Sequence, residues 1–332
     1  MAQTEVTVER LQSASDEIIA HLKRVIVGQD RAMAEVLTAF FAGGHCMITG
    51  VPGVAKTLMI ASLSQIMDLA FKRIQFTPDL MPSDITGTEI LEEDMSTGRR
   101  ELRFVKGPVF ANIVMADEIN RTPPKTQAAL LESMQEKQVT MGGRTYPLEQ
   151  PFFVLATQIP FEQEGTYPLP EAQQDRFMFS VLMDYLDEDD EVTVIKASTG
   201  HADVELPKLL SKDELLAFHD LILKVEVPEA LVSYIVDLVC SSRPGSEGAP
   251  PFINEYVAWG AGLRASQYIT LGAKSRAAMS GRMSAEPEDV RAVVAPVMRH
   301  RIGLSFRADV DKVTVEDIIS RLVEAMPVPA GV

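Results

Sequence analysis

The chain has 332 residues, enough for two domains with sizeable cores. Its 46% hydrophobic and 23% charged residues are typical of a globular protein and exclude a disordered or fibrous one. Its 31 Lys and Arg stand against 47 Asp and Glu, and a formal net charge of -16 disfavours nucleic acid as a partner, since binding to that backbone needs a cationic surface.

Helices and short strands alternate in the first half of the chain. The apolar spacing predicts helices over residues 7–24 and 30–41, the second ending at Gly43 and Gly44. Short apolar runs follow, separated by amphipathic segments, at 46–49, 73–76, 113–116, 152–156 and 179–183. Short buried strands that alternate with helices predict an α/β fold with a mainly parallel sheet covered on both faces.

Two other stretches predict β-hairpins rather than crossovers. One covers residues 101–110, with its turn at Lys106-Gly107-Pro108. The other covers residues 138–147, where Met141-Gly142-Gly143-Arg144 separates two runs of β-forming residues.

The composition changes near residue 186. Residues 187–191 are five consecutive carboxylates, which indicate the exposed start of a helix. Strand-like runs largely cease beyond them, and helices are predicted from Ser211 to about residue 223, from Pro228, and over 261–281, 287–299 and 315–325. We therefore predict an α/β domain over residues 1–186 and a smaller helical domain over residues 187–332.

Targeting and redox features point to the cytoplasm. No apolar run reaches the roughly 18 residues of a membrane span, and the start of the chain lacks the basic and apolar regions of a signal peptide. The two cysteines, Cys46 and Cys240, have a separation that matches no zinc or redox motif. We expect a cytoplasmic protein without a membrane span.

A glycine-rich turn and a Lys-Thr pair lie between the first predicted strand and a predicted helix. Such a loop directs backbone N–H groups at the phosphates of a nucleotide. We expect Lys56 to neutralise the β- and γ-phosphates and the Thr57 hydroxyl to bind Mg²⁺. Ala55 stands where a second glycine is usual, and its methyl group is tolerable there if the residue keeps helical dihedral angles, because its amide still donates. The predicted phosphate-binding residues are Gly50, Val51, Pro52, Gly53, Val54, Ala55, Lys56, Thr57 and Leu58.

Two carboxylates, Asp117 and Glu118, directly follow the predicted central strand 113–116. Ligands bind at this edge of open α/β sheets. Asp117 is expected to hold Mg²⁺ through water, and Glu118 to orient the attacking water or act as its general base. Together with the phosphate loop, this pair predicts an ATP-hydrolysing site.

Three segments resemble the MoxR family of AAA+ ATPases: GVPGVAKT at 50–57, ADEINRTPPK at 116–125 and ATQIPFEQEGTYPLPEAQQDRF at 156–177. The similarity continues at 259–265, 281–282, 287–290 and 299–301. It implies an AAA+ α/β nucleotide-binding domain with hairpin inserts and an all-α lid, assembled as a ring that is usually a hexamer. It also implies an ATP-driven chaperone whose client proteins frequently carry von Willebrand factor A domains.

The resemblance assigns roles outside the phosphate loop. Val27, Gly28 and Gln29 match the segment beside the adenine. Arg176 matches the arginine finger, for which the alternative is a structural ion pair with Asp175 or another neighbouring residue. Arg264 matches the sensor-2 arginine, which acts on the nucleotide of its own subunit or on that of a neighbour. The alternative for Arg264 is an exposed helix arginine. The hairpins match inserts that face the ring pore, where the client-contact candidates are Phe104, Lys106 and Arg144; the alternative is solvated hairpin tips.

Arg176 is expected at the far end of the sheet from the phosphate loop. The phosphate loop and Asp117 follow their strands, whereas Arg176 precedes the strand at 179–183. Parallel strands place these positions at opposite edges. Arg176 is therefore predicted to act on the nucleotide of a neighbouring subunit.

One position departs from the family pattern. Ile159 stands where the family has the sensor-1 Asn, and its side chain cannot donate a hydrogen bond. Either Thr157 or Gln158 takes over, or hydrolysis is slow. The main hypothesis is therefore an ATP-hydrolysing chaperone, with a nucleotide-gated assembly scaffold of weak hydrolysis as the alternative. A DNA-acting or chelatase-type member is disfavoured by the charge and by the lack of a visible chelate pocket.

Overall fold

The computed structural model describes residues 6–51, 53–93, 100–158, 166–198 and 205–328. The strands are β1 (Cys46–Gly50), β2 (Phe71–Gln75), β3 (Gly87–Glu93), β4 (Arg100–Lys106), β5 (Ile113–Asp117), β6 (Gln138–Met141), β7 (Arg144–Pro147), β8 (Phe153–Gln158), β9 (Phe179–Met183), β10 (Val257–Trp259) and β11 (Gly303–Leu304). The helices are α1 (Val8–Leu22), α2 (Asp30–Phe41), α3 (Lys56–Ile66), α4 (Pro82–Thr86), α5 (Pro124–Glu136), α6 (Glu171–Gln174), α7 (Glu188–Ser198), α8 (Lys212–Leu223), α9 (Glu229–Ser241), α10 (Pro251–Tyr256), α11 (Leu263–Met279), α12 (Pro287–Met298), α13 (Phe306–Asp311) and α14 (Val315–Ala325).

A five-stranded parallel sheet forms the centre of the first half, in the order β2-β5-β8-β1-β9. The middle strands are buried on both faces, which explains their continuous apolar sequence. Alternate residues of β1 enter different cores: Ile48 packs with α1–α3, whereas Met47 packs with α4 and α5. The predicted parallel α/β sheet with helices on both faces is confirmed.

The prediction for the first hairpin is wrong, because residues 101–110 do not pair with each other across Gly107. β4 runs straight through to Lys106 and pairs antiparallel with the earlier strand β3. Gly107 instead allows a close backbone approach, since a Cβ there would lie 2.3 Å from the Ile85 carbonyl oxygen. The second hairpin is confirmed: β6 pairs with β7 around Gly142 and Gly143, both with positive φ.

The second half is mostly helical, and its predicted helices are found with small shifts at their ends. Ser211 caps α8 by accepting from the Glu214 N–H, as the sequence predicts. The short helices α10 and α13 and the two-stranded sheet of β10 and β11 were not predicted. The division at residue 186 stays a prediction, because one apolar core runs from α1–α3 into α8–α14.

Helix α11 connects the two halves. Its Ser275 hydroxyl donates to the Thr38 carbonyl oxygen in α2 at 2.8 Å, and its Gly272 packs against Phe179 of β9. Among the described residues, no helix is long and apolar enough to cross a membrane.

Candidate functional site

The predicted phosphate loop connects the end of β1 to the start of α3. Gly50 is required at the strand end because a Cβ there would lie 2.4 Å from the Met183 carbonyl oxygen of β9. The Lys56 ammonium folds back across the loop and donates to the Gly50 carbonyl oxygen at 2.7 Å. Burial lowers the pKa of Lys56, and the charges of Asp117 and Glu118 oppose this shift. Pro52 lies outside the described residues.

Ala55 does not meet the condition set for it, helical dihedral angles. Its φ of 61° and ψ of 22° are left-handed, and it occupies the N-cap position of α3. The loop therefore needs a left-handed residue directly before Lys56, which explains why glycine is usual there. An alanine in this conformation costs roughly 1–2 kcal/mol.

The predicted acidic pair is linked by a threonine of the neighbouring strand. The Thr157 hydroxyl in β8 donates to Asp117 Oδ1 at 2.6 Å and accepts from the Glu118 N–H at 2.8 Å. Thr157 and Asp117 are buried, whereas Glu118 is half-buried and has a left-handed backbone with a φ of 57°. A hydroxyl has one proton, so Thr157 in this arrangement has none to donate to a phosphate or water. Ile159 lies outside the described residues.

Sequence reasoning missed three polar residues around the acidic pair. Arg73 forms an ion pair with Asp117. Gln75 donates to Glu118 Oε2 at 3.1 Å, and Arg121 donates to the same oxygen at 2.8 Å. Arg73 and Gln75 are two residues apart on β2, so they lie on the same face of the strand. Because β2 lies beside β5, both residues come close to the acidic pair. Their spacing on a predicted strand was visible in the sequence, but the identity of the neighbouring strand was not.

The predicted adenine segment lies at the same edge of the sheet. The Gln29 side chain donates to the Asp184 carbonyl oxygen at 2.9 Å, directly after β9. Gly28 has a φ of +71°, and a Cβ there would lie 2.4 Å from the Asp190 carboxylate and 2.6 Å from Leu186. Since the last residues of β1 and β9 pair, Val27, Gly28 and Gln29 share one edge with the phosphate loop.

Arg176 and Arg264 lie at the opposite edge. Both line a cavity of about 220 Å³, together with Gly44 before β1. The length of β9 alone separates the two edges by about 13 Å, at about 3.3 Å per residue. Within one chain the structure therefore does not bring Arg176 or Arg264 to the phosphate loop.

Cationic side chains line this cavity. Three of its lining side chains are the cations Lys137, Arg176 and Arg264, and none is a carboxylate. His45 also lines it, but burial lowers the pKa of His45 to about 4, so its ring is neutral and accepts from the Val154 N–H at 3.0 Å. The cavity can therefore bind an anionic group such as a phosphate.

The alternative for Arg176, an ion pair with Asp175 or another neighbouring residue, is not observed in the part of the chain that the structure describes. Asp175 instead binds Arg264 at 2.5 Å and Arg301 at 2.7 Å. The Arg176 guanidinium has no ion pair within the described ranges and is half-buried. Arg264 is neither simply exposed nor free, since it is held beside Arg176 by this shared carboxylate.

A phosphate loop and an acidic pair at one edge of a parallel sheet, followed by a helical lid, define a P-loop ATPase of the AAA+ class. Residues 45–179 match the model of the ATPase family associated with various cellular activities (AAA), and residues 252–322 match the AAA lid domain.

Individual proteins are similar to this chain over nearly its whole length. Chaperone MoxR1 of Mycobacterium tuberculosis is 41% identical over 95% of this chain and 82% of that protein. Protein MoxR of Methylorubrum extorquens is 30% identical over 93% of each chain. The crystal structure of a proposed ATPase from Cytophaga hutchinsonii, 41% identical over 97% of each chain, superposes with a TM-score of 0.88. The chain belongs to the MoxR family of AAA+ ATPases.

Proposed function

We propose that this protein is a magnesium-dependent ATPase that assembles into head-to-tail rings, hexamers in the family pattern, and uses ATP to remodel partner proteins as a chaperone. The observation that carries the proposal is the separation of Arg176 and Arg264 from their own phosphate loop. One chain holds both halves of an ATP site, at opposite edges of its sheet.

Each complete site then takes residues from two subunits. One subunit supplies Lys56, Thr57, Asp117 and Glu118, and the next supplies the cationic cavity with Arg176. Repetition of this contact produces a ring when the rotation closes. An arginine finger neutralises charge in the transition state and contributes about 10³–10⁵ to the rate. Because Arg264 lines the same cavity, we assign it to the neighbour's nucleotide rather than its own.

The residues present suit a nucleotide-bound Mg²⁺ ion. The Thr57 hydroxyl in the first turn of α3 and the Asp117 carboxylate supply the hard oxygen ligands that Mg²⁺ prefers. When bound, the ion would neutralise charge on the phosphates. Thr157 and Arg73 keep the Asp117 carboxylate oriented at the strand end.

The two hairpins supply the proposed client surface. The β3–β4 hairpin exposes Leu91 and Leu102, and the ring of Phe104 stacks on Tyr146 of β7 at 4.2 Å between centroids. The two hairpins are thus in contact with each other and expose apolar side chains. The name of Chaperone MoxR1 supports protein remodelling, and the family resemblance points to clients with von Willebrand factor A domains. The site of action proposed is the cytoplasm.

Shared sites make hydrolysis depend on assembly, which gives the test. ATP hydrolysis per subunit should rise steeply with protein concentration over the range in which rings form. Light scattering on the same samples reports the assembly. Equal hydrolysis per subunit across dilutions that dissociate the ring would overturn the proposal.

The second candidate, a scaffold that binds ATP but hydrolyses little, is favoured by one observation. The single proton of Thr157 is donated to Asp117, so Thr157 does not replace the missing Asn at position 159. A change of Ile159→Asn restores a donor, which in such positions is worth about 10²–10³ in rate. A large gain in kcat would support the scaffold; a wild-type enzyme that already turns over rapidly and gains nothing would exclude it.

A further inference from the structure

Side chains of the lid bind the backbone carbonyl oxygens around Arg176, whereas the N–H groups of Arg176, Phe177 and Met178 donate to backbone carbonyl oxygens outside the lid. Arg176 lies in the short connection between α6 and β9, and its own guanidinium has no ion pair within the described ranges. Its position therefore depends on the backbone that carries it. The carbonyl oxygens that accept from lid side chains are those of Asp175, Arg176, Phe177, Met178 and Ser180.

Arg301 makes the largest share of these bonds. Its Nη2 donates to the carbonyl oxygens of Asp175 and Phe177, both at 2.7 Å, and its Nε donates to the Asp175 carboxylate at 2.7 Å. The side chain is almost fully buried, against the ring of Tyr268. The Tyr268 hydroxyl in turn donates to the carbonyl oxygen of Arg176 itself at 3.3 Å.

The two residues before Arg301 extend the contact into the next strand. His300 Nε2 donates to the Phe177 carbonyl oxygen at 3.1 Å, and Arg299 donates to the Ser180 carbonyl oxygen in β9. Arg299 also pairs with Glu316 at the start of α14. The segment 299–301 thus fastens α12 and α14 of the lid to the backbone on both sides of Arg176.

Stability alone is a poor reason for burying this guanidinium. Well-packed apolar side chains usually replace a buried ion pair without loss of stability. What the planar guanidinium adds is direction, because its fork fixes several acceptors at once. Here those acceptors are Asp175 and Phe177, the residues directly before and after Arg176.

We propose that Arg299-His300-Arg301, with Tyr268, is the element through which the lid of each subunit positions Arg176 toward the nucleotide of the next subunit. Arg301 and Tyr268 are positioning residues, since they act through the backbone of Arg176. The inference rests on the proposed function. It adds that movement of α11 or α12 in one subunit changes hydrolysis in its neighbour.

Tyr268→Phe is the gentlest test, because it removes only the hydroxyl and keeps the ring against Arg301. Tyr234→Phe is the matched control: its hydroxyl also donates to a carbonyl oxygen at 3.3 Å, that of Met326, elsewhere in the lid. We expect Tyr268→Phe to lower kcat for ATP about fivefold, with the equilibrium affinity for ATP unchanged. Tyr234→Phe should leave both unchanged. Equal kcat in Tyr268→Phe and wild type would overturn the inference.

Arg301→Lys keeps the charge but loses the fork. A displacement of the finger by about 1 Å should lower kcat about 10²-fold, again without loss of ATP affinity. Addition of Glu118→Gln subunits, whose fingers are intact, should restore hydrolysis at the Arg301→Lys sites. A structural defect alone would weaken ATP binding and would not be restored in this way.

The Arg176→Ala variant distinguishes a failure of the proposed function from a failure of the positioning role. If Arg176→Ala hydrolyses ATP at the wild-type rate, the proposed function fails. If Arg176→Ala is inactive while Tyr268→Phe and Arg301→Lys match wild type, only the positioning role fails.

Discussion

Replacement of Thr157 by valine keeps the shape of the side chain and removes two hydrogen bonds at the acidic pair. A bond to an ionised group such as the Asp117 carboxylate contributes about 1.5–3 kcal/mol, and the bond from the Glu118 N–H about 1 kcal/mol. Thr157 and Asp117 are buried, so water does not replace the bond between them. Thr157→Val should therefore lower the free energy of unfolding by about 3 kcal/mol.

Urea denaturation of the nucleotide-free protein measures this loss. Thr126→Val is the matched control, since its buried hydroxyl makes a single bond to the neutral Leu80 carbonyl oxygen at 2.8 Å and should cost about 1 kcal/mol. Thr157→Ser keeps the hydroxyl and should cost about 1 kcal/mol for the lost methyl group. If Thr157→Val costs no more than Thr126→Val, the proposed link between the two carboxylate residues is wrong.

Three further outcomes follow from the same site and its surroundings. Lys56→Ala should abolish ATP binding or weaken it severely, because the phosphates lose a charge partner; affinity within a few-fold of wild type in equilibrium titration would refute the assignment. Glu118→Gln should keep ATP bound while blocking hydrolysis, since the amide preserves volume but not basicity, and monomers in light scattering at saturating ATP and Mg²⁺ would argue against nucleotide-driven assembly. Burial lowers the pKa of His45 from 6.5 to about 4, so the unfolded chain binds more protons in this range and the free energy of unfolding falls as pH drops through it. The loss approaches about 3 kcal/mol, and His45→Gln should reduce the pH slope of urea midpoints by that contribution; an unchanged slope would show that His45 is not the titrating group.

Local patterns predicted most of the main sheet. Strand β9 was predicted to the residue, and the turn at Gly142 and Gly143 was found because two residues with positive φ specify a tight hairpin. The β3–β4 hairpin was missed because Gly107 has a different use. Gly107 makes a close backbone contact to Ile85 and does not join two paired strands, and a contact of that kind leaves no local pattern.

The chemistry of the site was predictable only where one segment contains it. Lys56, Thr57, Asp117 and Glu118 follow their strands directly, so a motif reveals them. The partners of these residues come from other strands, and the order β2-β5-β8 decides them. No spacing in the sequence shows that Thr157 joins Asp117 to Glu118.

The lid contacts were beyond prediction for the same reason. Asp175 is 89 residues from Arg264 and 126 residues from Arg301. Adjacency in the sequence suggested an ion pair between Arg176 and Asp175. In the folded chain Asp175 pairs with lid arginines instead, and Arg176 has no ion pair within the described ranges.

A mixing experiment tests the central claim, that two subunits share each ATP site, most directly. Arg176→Ala and Glu118→Gln should each be inactive alone, because each lacks one half of the machinery. In mixed rings, some interfaces pair an intact Glu118 from one subunit with an intact Arg176 from the next, and hydrolysis should recover there. No recovery in rings shown to contain both variants would contradict the shared site.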